Sequence, residues 1–237
     1  MPGKVDLHCH FVAQIDDGAR TPEDGIAMLQ GLKKAGYDRV VATPHMRPGM
    51  FDNDKAALTA AFEAMKPHIE RAGDTVPAVG LASEHYFDDV VFQRLVAKQA
   101  LPYPGGKAVL VELPTQSFPA MVEHRLLDVR RSGLTVVLAH PERYRPVWDD
   151  ISVLEPLLDA GVVLQLDICS VVGKYGKMAQ KTAELLLRED AYEIGSTDAH
   201  KPSDLDAVNE ALTRLNKLVG AKEVERLLST APRALLA

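Results

Sequence analysis

Cysteine is nearly absent from this chain: Cys9 and Cys169 are the only two in 237 residues. Two thiols are too few for a disulfide framework or a thiolate zinc site, and both read as small buried residues. Basic residues show no excess, with 27 Lys plus Arg against 33 Asp plus Glu and a net charge of −6. That balance argues against a nucleic-acid surface, which needs clustered positive charge. No apolar run approaches the roughly 18 residues of a membrane helix. The opening Met1-Pro2-Gly3-Lys4-Val5-Asp6 lacks the apolar stretch of an export signal. No G-x-G-x-x-G fingerprint occurs, which disfavours a dinucleotide site. A cytoplasmic protein without nucleic-acid partner or membrane span is the resulting expectation.

What is present is a regular alternation of strand-like and helix-like stretches. Strands are expected at roughly 5–10, 39–45, 77–84, 108–113, 134–140, 162–168 and 191–198. Runs such as LTVVLAH and GVVLQLD are almost continuously apolar, as strands buried on both faces of a parallel sheet must be. Between them, Ile26, Leu29 and Leu32, and then Leu58, Phe62, Met65 and Ile69, follow helical spacing. Thr21-Pro22-Glu23-Asp24 has the form of a helix start, and Ser203 with Asp206 repeats its hydroxyl–acid spacing. Pro67 is expected to kink or break the second helix. With no linker, repeat or low-complexity stretch, a single domain over 1–237 is expected. Seven strand–helix units suggest an α/β barrel of parallel strands, with an open doubly wound sheet as the alternative.

Ionisable residues gather at the strand ends. His8 and His10 finish the first strand, His45 the second, and Glu84 the third; Glu112 closes the fourth, His140 the fifth, and Asp198 with His200 the seventh. In a parallel barrel those ends share one mouth, and buried strands seldom end in charge without a reason. Period-two geometry turns His8 and His10 to one side and Cys9 to the other. Imidazoles and carboxylates without thiolate suit zinc, manganese or iron. His68 and His124 fall within helices and read as structural. His85 should point away from Glu84, and Asp167 reads as a supporting acid.

At these residues the sequence resembles the PHP (polymerase and histidinol phosphatase) superfamily. The resemblance is carried by DLHCH at 6–10, IDDG at 15–18, ATPH at 42–45, HPER at 140–143 and STDAH at 196–200. Their order is most similar to the bacterial PHP-type protein tyrosine phosphatases of capsule and exopolysaccharide systems. The resemblance implies a distorted (β/α)7 barrel with three divalent ions (manganese, iron or zinc). It places His8, His10, Glu84 and Asp198 on one ion and Glu84, Glu112 and His140 on a second. Asp17, His45 and His200 fall on the third, with Asp16 competing for the place of Asp17. It also implies a phosphotyrosine protein as partner, a bacterial tyrosine kinase. Many relatives have Pro-Gly ahead of IDDG, where this chain has Ala13-Gln14. Many also carry an arginine shortly after the final histidine, where this chain offers only Lys201.

Four carboxylates and three divalent ions would leave the site positive, suited to a phosphate dianion. Arg143 is the candidate clamp on the phosphoryl oxygens, with Arg47 and Lys201 as weaker phosphate contacts. Asp198 and His200 join Arg143 as candidate catalytic residues. A thiolate phosphatase is excluded, because Ile15 and Tyr175 stand where C-x5-R would need arginine. A phenolate, whose conjugate acid has a pKa of about 10, leaves more readily than an alkoxide, so phosphotyrosine suits this site. Histidinol phosphate or another small phosphomonoester is the alternative substrate, and a metal-holding barrel without catalysis is the alternative of another class.

Overall fold

Alternation of apolar strands with amphipathic helices is what a computed structural model of the protein displays over residues 2–237. β1 (Lys4–Cys9) leads to α1 (Pro22–Lys34), then β2 (Tyr37–Ala42), β3 (His45–Met46) and α2 (Lys55–Ala72). β4 (Ala78–Leu81) and β5 (Glu84–Tyr86) precede α3 (Asp89–Val96), and β6 (Ala108–Glu112) precedes α4 (Val122–Arg131). β7 (Thr135–Ala139) is followed by the short α5 (Arg145–Asp149) and α6 (Glu155–Asp159). β8 (Val163–Asp167), α7 (Gly176–Arg188), β9 (Ile194–Ser196) and α8 (Asp204–Val219) follow, and the short α9 (Ala221–Glu225) and α10 (Ala231–Ala234) complete the series. Among the described residues no helix is long and apolar enough to cross a membrane.

The fold is mixed α/β, and every strand pairing is parallel. One sheet has the order β1-β2-β4 and the other β3-β5-β6-β7-β8-β9. All five residues of β6 are buried, which explains the missing polar alternation. Two of the seven expected strands are interrupted. Thr43-Pro44 separates β2 from β3, and Ala82-Ser83 separates β4 from β5. Pro44 has no N–H to give a ladder, and the chain passes here from one sheet to the other. At the opposite flank the Asp198 N–H donates to the His8 carbonyl and the His10 N–H to the Ala199 carbonyl, both at 2.9 Å. A large core lies between sheets and helices. A smaller one gathers Leu7, Val41, Leu110, Val137 and Ile194 around Tyr103, whose hydroxyl donates to the Leu7 carbonyl at 2.9 Å.

Helix starts follow the sequence at α1, where the Thr21 hydroxyl accepts from the Asp24 N–H at 3.2 Å and Pro22 takes the first helical position. Two expectations need correction. The break expected at Pro67 is absent, and α2 runs on through it, because this residue lies on the exposed face and water can reach the Glu63 carbonyl that loses its partner. At α8 the Ser203 hydroxyl makes no cap bond. The following Asp204 side chain instead accepts from the His200 and Lys201 N–H groups, at 2.9 and 3.3 Å, because its carboxylate turns back onto the preceding loop.

Candidate metal centre

β1 delivers His8 and His10 to the end of the sheet, where both side chains are buried. His8 Nε2 lies 3.2 Å from Glu84 Oε2 and 3.1 Å from Asp198 Oδ1. His10 Nε2 lies 3.5 and 3.4 Å from the same two oxygens. His45, in β3, places Nδ1 3.1 Å from Glu84 Oε2 and Nε2 3.4 Å from Asp17 Oδ1. His140 Nε2 is 3.2 Å from Glu84 Oε1, and His200 Nε2 is 3.6 Å from Asp17 Oδ1. The structure therefore brings the strand-end residues together, with Glu84 at their middle. The potential ligand atoms fall into four overlapping groups: His10-Asp17-His45-His200, His8-His10-Asp198, His8-Glu84-His140 and His45-Glu84-Glu112. This grouping differs from the family allocation in giving His8 and His10 to two groups each and setting His45 beside Glu112.

The backbone is bent to make this convergence. His140 and Asp198 have φ of 37° and 46°, a region that L-residues occupy only when their surroundings hold them there. Gly18 is required at the IDDG turn, because a side chain there would collide with the His10 carbonyl. Gln14 just before it has φ 63°, the conformation glycine adopts without penalty.

Supporting residues fix which nitrogen of His8 and of His10 faces inward. His8 Nδ1–H donates to Gln165 Oε1 at 2.8 Å. His10 Nδ1–H donates to Asp16 Oδ2 at 2.8 Å, and that oxygen also accepts from the His45 N–H at 2.9 Å. Asp16 thus faces the back of the site while Asp17 faces its donors. The Asn53 amide donates to the Ile15 and His45 carbonyls, both at 2.9 Å, tying the IDDG loop to β3. With their outer nitrogens engaged, the inner ring nitrogens present lone pairs.

Charge and burial make this an arrangement that wants cations. Burial alone would lower the His8 pKa, but Asp198 and Glu84 outweigh it and raise it to about 9. Against burial, which favours their neutral forms, His8 above all holds Glu84 and Asp198 well below the usual carboxylate range. Glu112 is pushed up to about 7 by burial and by Glu84. His140 is brought down to about 4 by burial and by Arg143. His8 Nε2, His10 Nε2, His45 Nδ1, Glu112 Oε2 and Asp198 Oδ1 are buried without hydrogen-bond partners. Lone pairs aimed at one another inside a protein are stable only with positive charge between them. Imidazole nitrogens and carboxylate oxygens fit divalent transition ions, so the donor set fits the metals the resemblance implies.

A cavity of about 670 Å³ opens beside this cluster, lined in part by Asp17, Arg143, Lys174, Tyr175, Asp198, His200 and Lys201. Arg143 Nη1 donates to Asp198 Oδ2 at 2.5 Å and lies 3.5 Å from Asp167 Oδ2. Arg143 Nε and Nη2 have no partner among the described residues. Lys201 lines the cavity, whereas Arg47 lies over the Tyr86 ring, 3.9 Å from its centroid, and is not among the cavity residues. His85 Nδ1–H donates to the Leu110 carbonyl and Nε2 accepts from the Leu101 N–H, a structural role. His68 and His124 lie on α2 and α4.

Sequence reasoning passed over Gln165, Asn53, Lys174 and Asp204. Gln165 left a trace, a polar residue inside the apolar GVVLQLD. Asn53 and Asp204 left none, because their partners are backbone groups of other loops and, for Asp204, the distant Lys174 ammonium as well.

A family model described as capsular polysaccharide synthesis, CpsB/CapC, matches residues 4–237. Tyrosine-protein phosphatase YwqE of Bacillus subtilis is 28% identical over 220 residues, covering 92% of this chain and 86% of its own length. Tyrosine-protein phosphatase CpsB of Streptococcus pneumoniae is 24% identical over 241 residues, covering 98% of each chain. A solved structure from work on those two proteins, described as unique metal-dependent tyrosine phosphatases, superposes with a TM-score of 0.88 at 28% identity. It covers 98% of this chain and 94% of that one.

Proposed function

This chain belongs to the CpsB/CapC family of capsular polysaccharide synthesis, and we propose that it is a metal-dependent protein-tyrosine phosphatase. Its reaction is hydrolysis of the phosphoric monoester of phosphotyrosine in a protein, a bacterial tyrosine kinase of a capsule or exopolysaccharide system, in the cytoplasm. The observation that carries this reading is the convergence of unpartnered His8, His10, His45 and Asp198 atoms beside a cavity walled by Arg143. The relatives named above are tyrosine-protein phosphatases, which favours this substrate over histidinol phosphate or another small phosphomonoester.

The ligands we assign are His8, His10, Glu84 and Asp198 for one ion, and Glu84, Glu112 and His140 for a second. Asp17, His45 and His200 are assigned to a third, and the ions are manganese, iron or zinc. The four donor groups support these nine residues as a set, and the division among ions follows the resemblance. Bound divalent ions supply an acidified water as nucleophile near neutral pH and offset charge on the phosphoryl oxygens. Arg143, fixed at Nη1 by Asp198 and Asp167, turns Nε and Nη2 to the phosphate as a planar fork. Asp198 links that arginine to His8 and His10, so the phosphate is held in register with the metal ligands. His200 borders the cavity from the other side. The leaving phenolate needs no strong acid.

We read the fold as a distorted (β/α)7 barrel forming one domain over 1–237. β2 with β3 and β4 with β5 count as two interrupted staves, and the bonds from Asp198 and Ala199 to β1 and His10 support closure.

The test is turnover of phosphotyrosine peptides by the manganese-loaded protein, with Asp198→Ala and His140→Ala as variants checked for folding. Activity in the parent and its loss in folded variants is expected. No turnover of any phosphotyrosine peptide, or preference for histidinol phosphate, overturns the proposal.

A further inference from the structure

Lys174 stands on the turn between β8 and α7 and lines the same cavity as Arg143. Its ammonium is 3.3 Å from Asp204 Oδ2, the oxygen that also accepts from the His200 and Lys201 N–H groups. One buried carboxylate therefore ties the lysine to the loop that carries His200. Lys174 and Arg143 are further aligned by a shared neighbour. The Lys174 ammonium lies 5.2 Å, and the Arg143 guanidinium carbon 4.3 Å, from the Tyr175 ring centroid.

An ammonium has three donors in a compact charge, and Asp204 occupies one of them. The Lys174 side chain keeps 22% of its exposure, so the remaining donors reach the cavity. Lys201, by contrast, has no side-chain partner among the described residues, and nothing fixes its charge. Asp17, Asp198 and His200 border the same space. Two fixed cations with spare donors thus meet in a cavity at the metal cluster. That pairing matches a dianion with three terminal oxygens better than a carboxylate or a neutral ligand.

We propose that Lys174 is a substrate-binding residue, donating to a non-bridging oxygen of an aryl phosphate dianion while Arg143 holds the others. The inference rests on the phosphatase reading and deepens it by naming a residue that binds the phosphate. It makes Asp204 a positioning residue, acting through Lys174 and the His200 loop.

The experiment compares the metal-loaded parent with Lys174→Met and Lys174→Arg, and uses Lys177→Met on the exposed start of α7 as a charge control. KM and kcat are measured on a phosphotyrosine peptide, and inorganic phosphate binding is measured separately by calorimetry. Loss of a charge-assisted contact raises KM and the phosphate dissociation constant by about tenfold or more in Lys174→Met. Unchanged kcat, metal content and melting temperature are expected, with most of the affinity recovered in Lys174→Arg and none lost in Lys177→Met. Parent-like KM and phosphate binding in Lys174→Met overturns the assignment. So does a fall in kcat, metal content and melting temperature without a change in phosphate binding, the mark of a mere counterion for Asp204. If the parent hydrolyses no phosphotyrosine peptide, the functional reading fails; the calorimetric comparison still decides whether Lys174 binds phosphate.

Discussion

His8 sits between two carboxylates that in the absence of an ion leave it one way to satisfy them, by keeping a proton. Its pKa in the fold is about 9 against an ordinary value of 6.5, so the folded state binds that proton more tightly than the unfolded chain. The resulting stabilisation is full below pH 6.5 and lost as pH rises through about 9. Glu112 and Glu142, raised to about 7, act in the same direction but are spent by neutrality. The melting temperature of metal-free protein should therefore fall between pH 7 and 9, whereas metal-loaded protein, with ions in place of protons, should not follow it. A flat metal-free profile would remove His8 from the account. Asp16 offers a second check at this scale. Asp16→Asn weakens the acceptor behind His10, and supporting bonds of this kind alter metal affinity by about 10- to 100-fold. A titration showing parent affinity would reduce Asp16 to a turn residue. That Asp16 and Asp17 differ in role was not legible in the pair of letters. It is decided by the IDDG turn, which directs one carboxylate to His10 and the other to His45 and His200.

Strand identity was legible because buried parallel strands advertise themselves by continuous apolar runs, as in β7 and β8. Their ends were legible too, since His140 closes one such run and Asp198 follows the last strand. Breaks inside strands were not: Pro44 marks one, but Ala82-Ser83 carries no comparable signal. The reach of Asn53 across two loops was invisible for the same reason, as backbone carbonyls have no sequence signature. Asn53→Ala removes both donors and leaves the Ile15 and His45 carbonyls unpaired. A loss of about 2–4 kcal/mol in denaturant unfolding is expected at 1–2 kcal/mol per bond, together with weaker metal retention. Pro67 should do the reverse. Because α2 already runs through it on the exposed face, Pro67→Ala restores a helix bond and should add about 1–3 kcal/mol. Unchanged KM and kcat should accompany that gain; a less stable variant would mean that Pro67 serves a contact of its own.

Over the whole molecule, the two sheets meet where their charged residues do. Glu84 and His45 stand in one sheet and His8 in the other, with Asp198 and His200 following β9. Chelation should therefore lower the melting temperature of the entire protein as well as abolish turnover, and added manganese should restore both. An undisturbed melting temperature after complete metal removal would uncouple the cluster from the fold.

The donors are not equally sheltered: the Asp17 side chain is 58% exposed and His200 24%, against 1% for His8 and Glu84. His10 and His200 stack with ring centroids 4.0 Å apart and planes 13° apart, so a charge on one disfavours a charge on the other. Burial and then His10 lower the His200 pKa, which favours the bare imidazole at the doorway. If the cluster holds more than one ion, a donor as open as Asp17 would exchange its ion faster than the sheltered His8 and Glu84, so partial occupancy after purification should begin at Asp17.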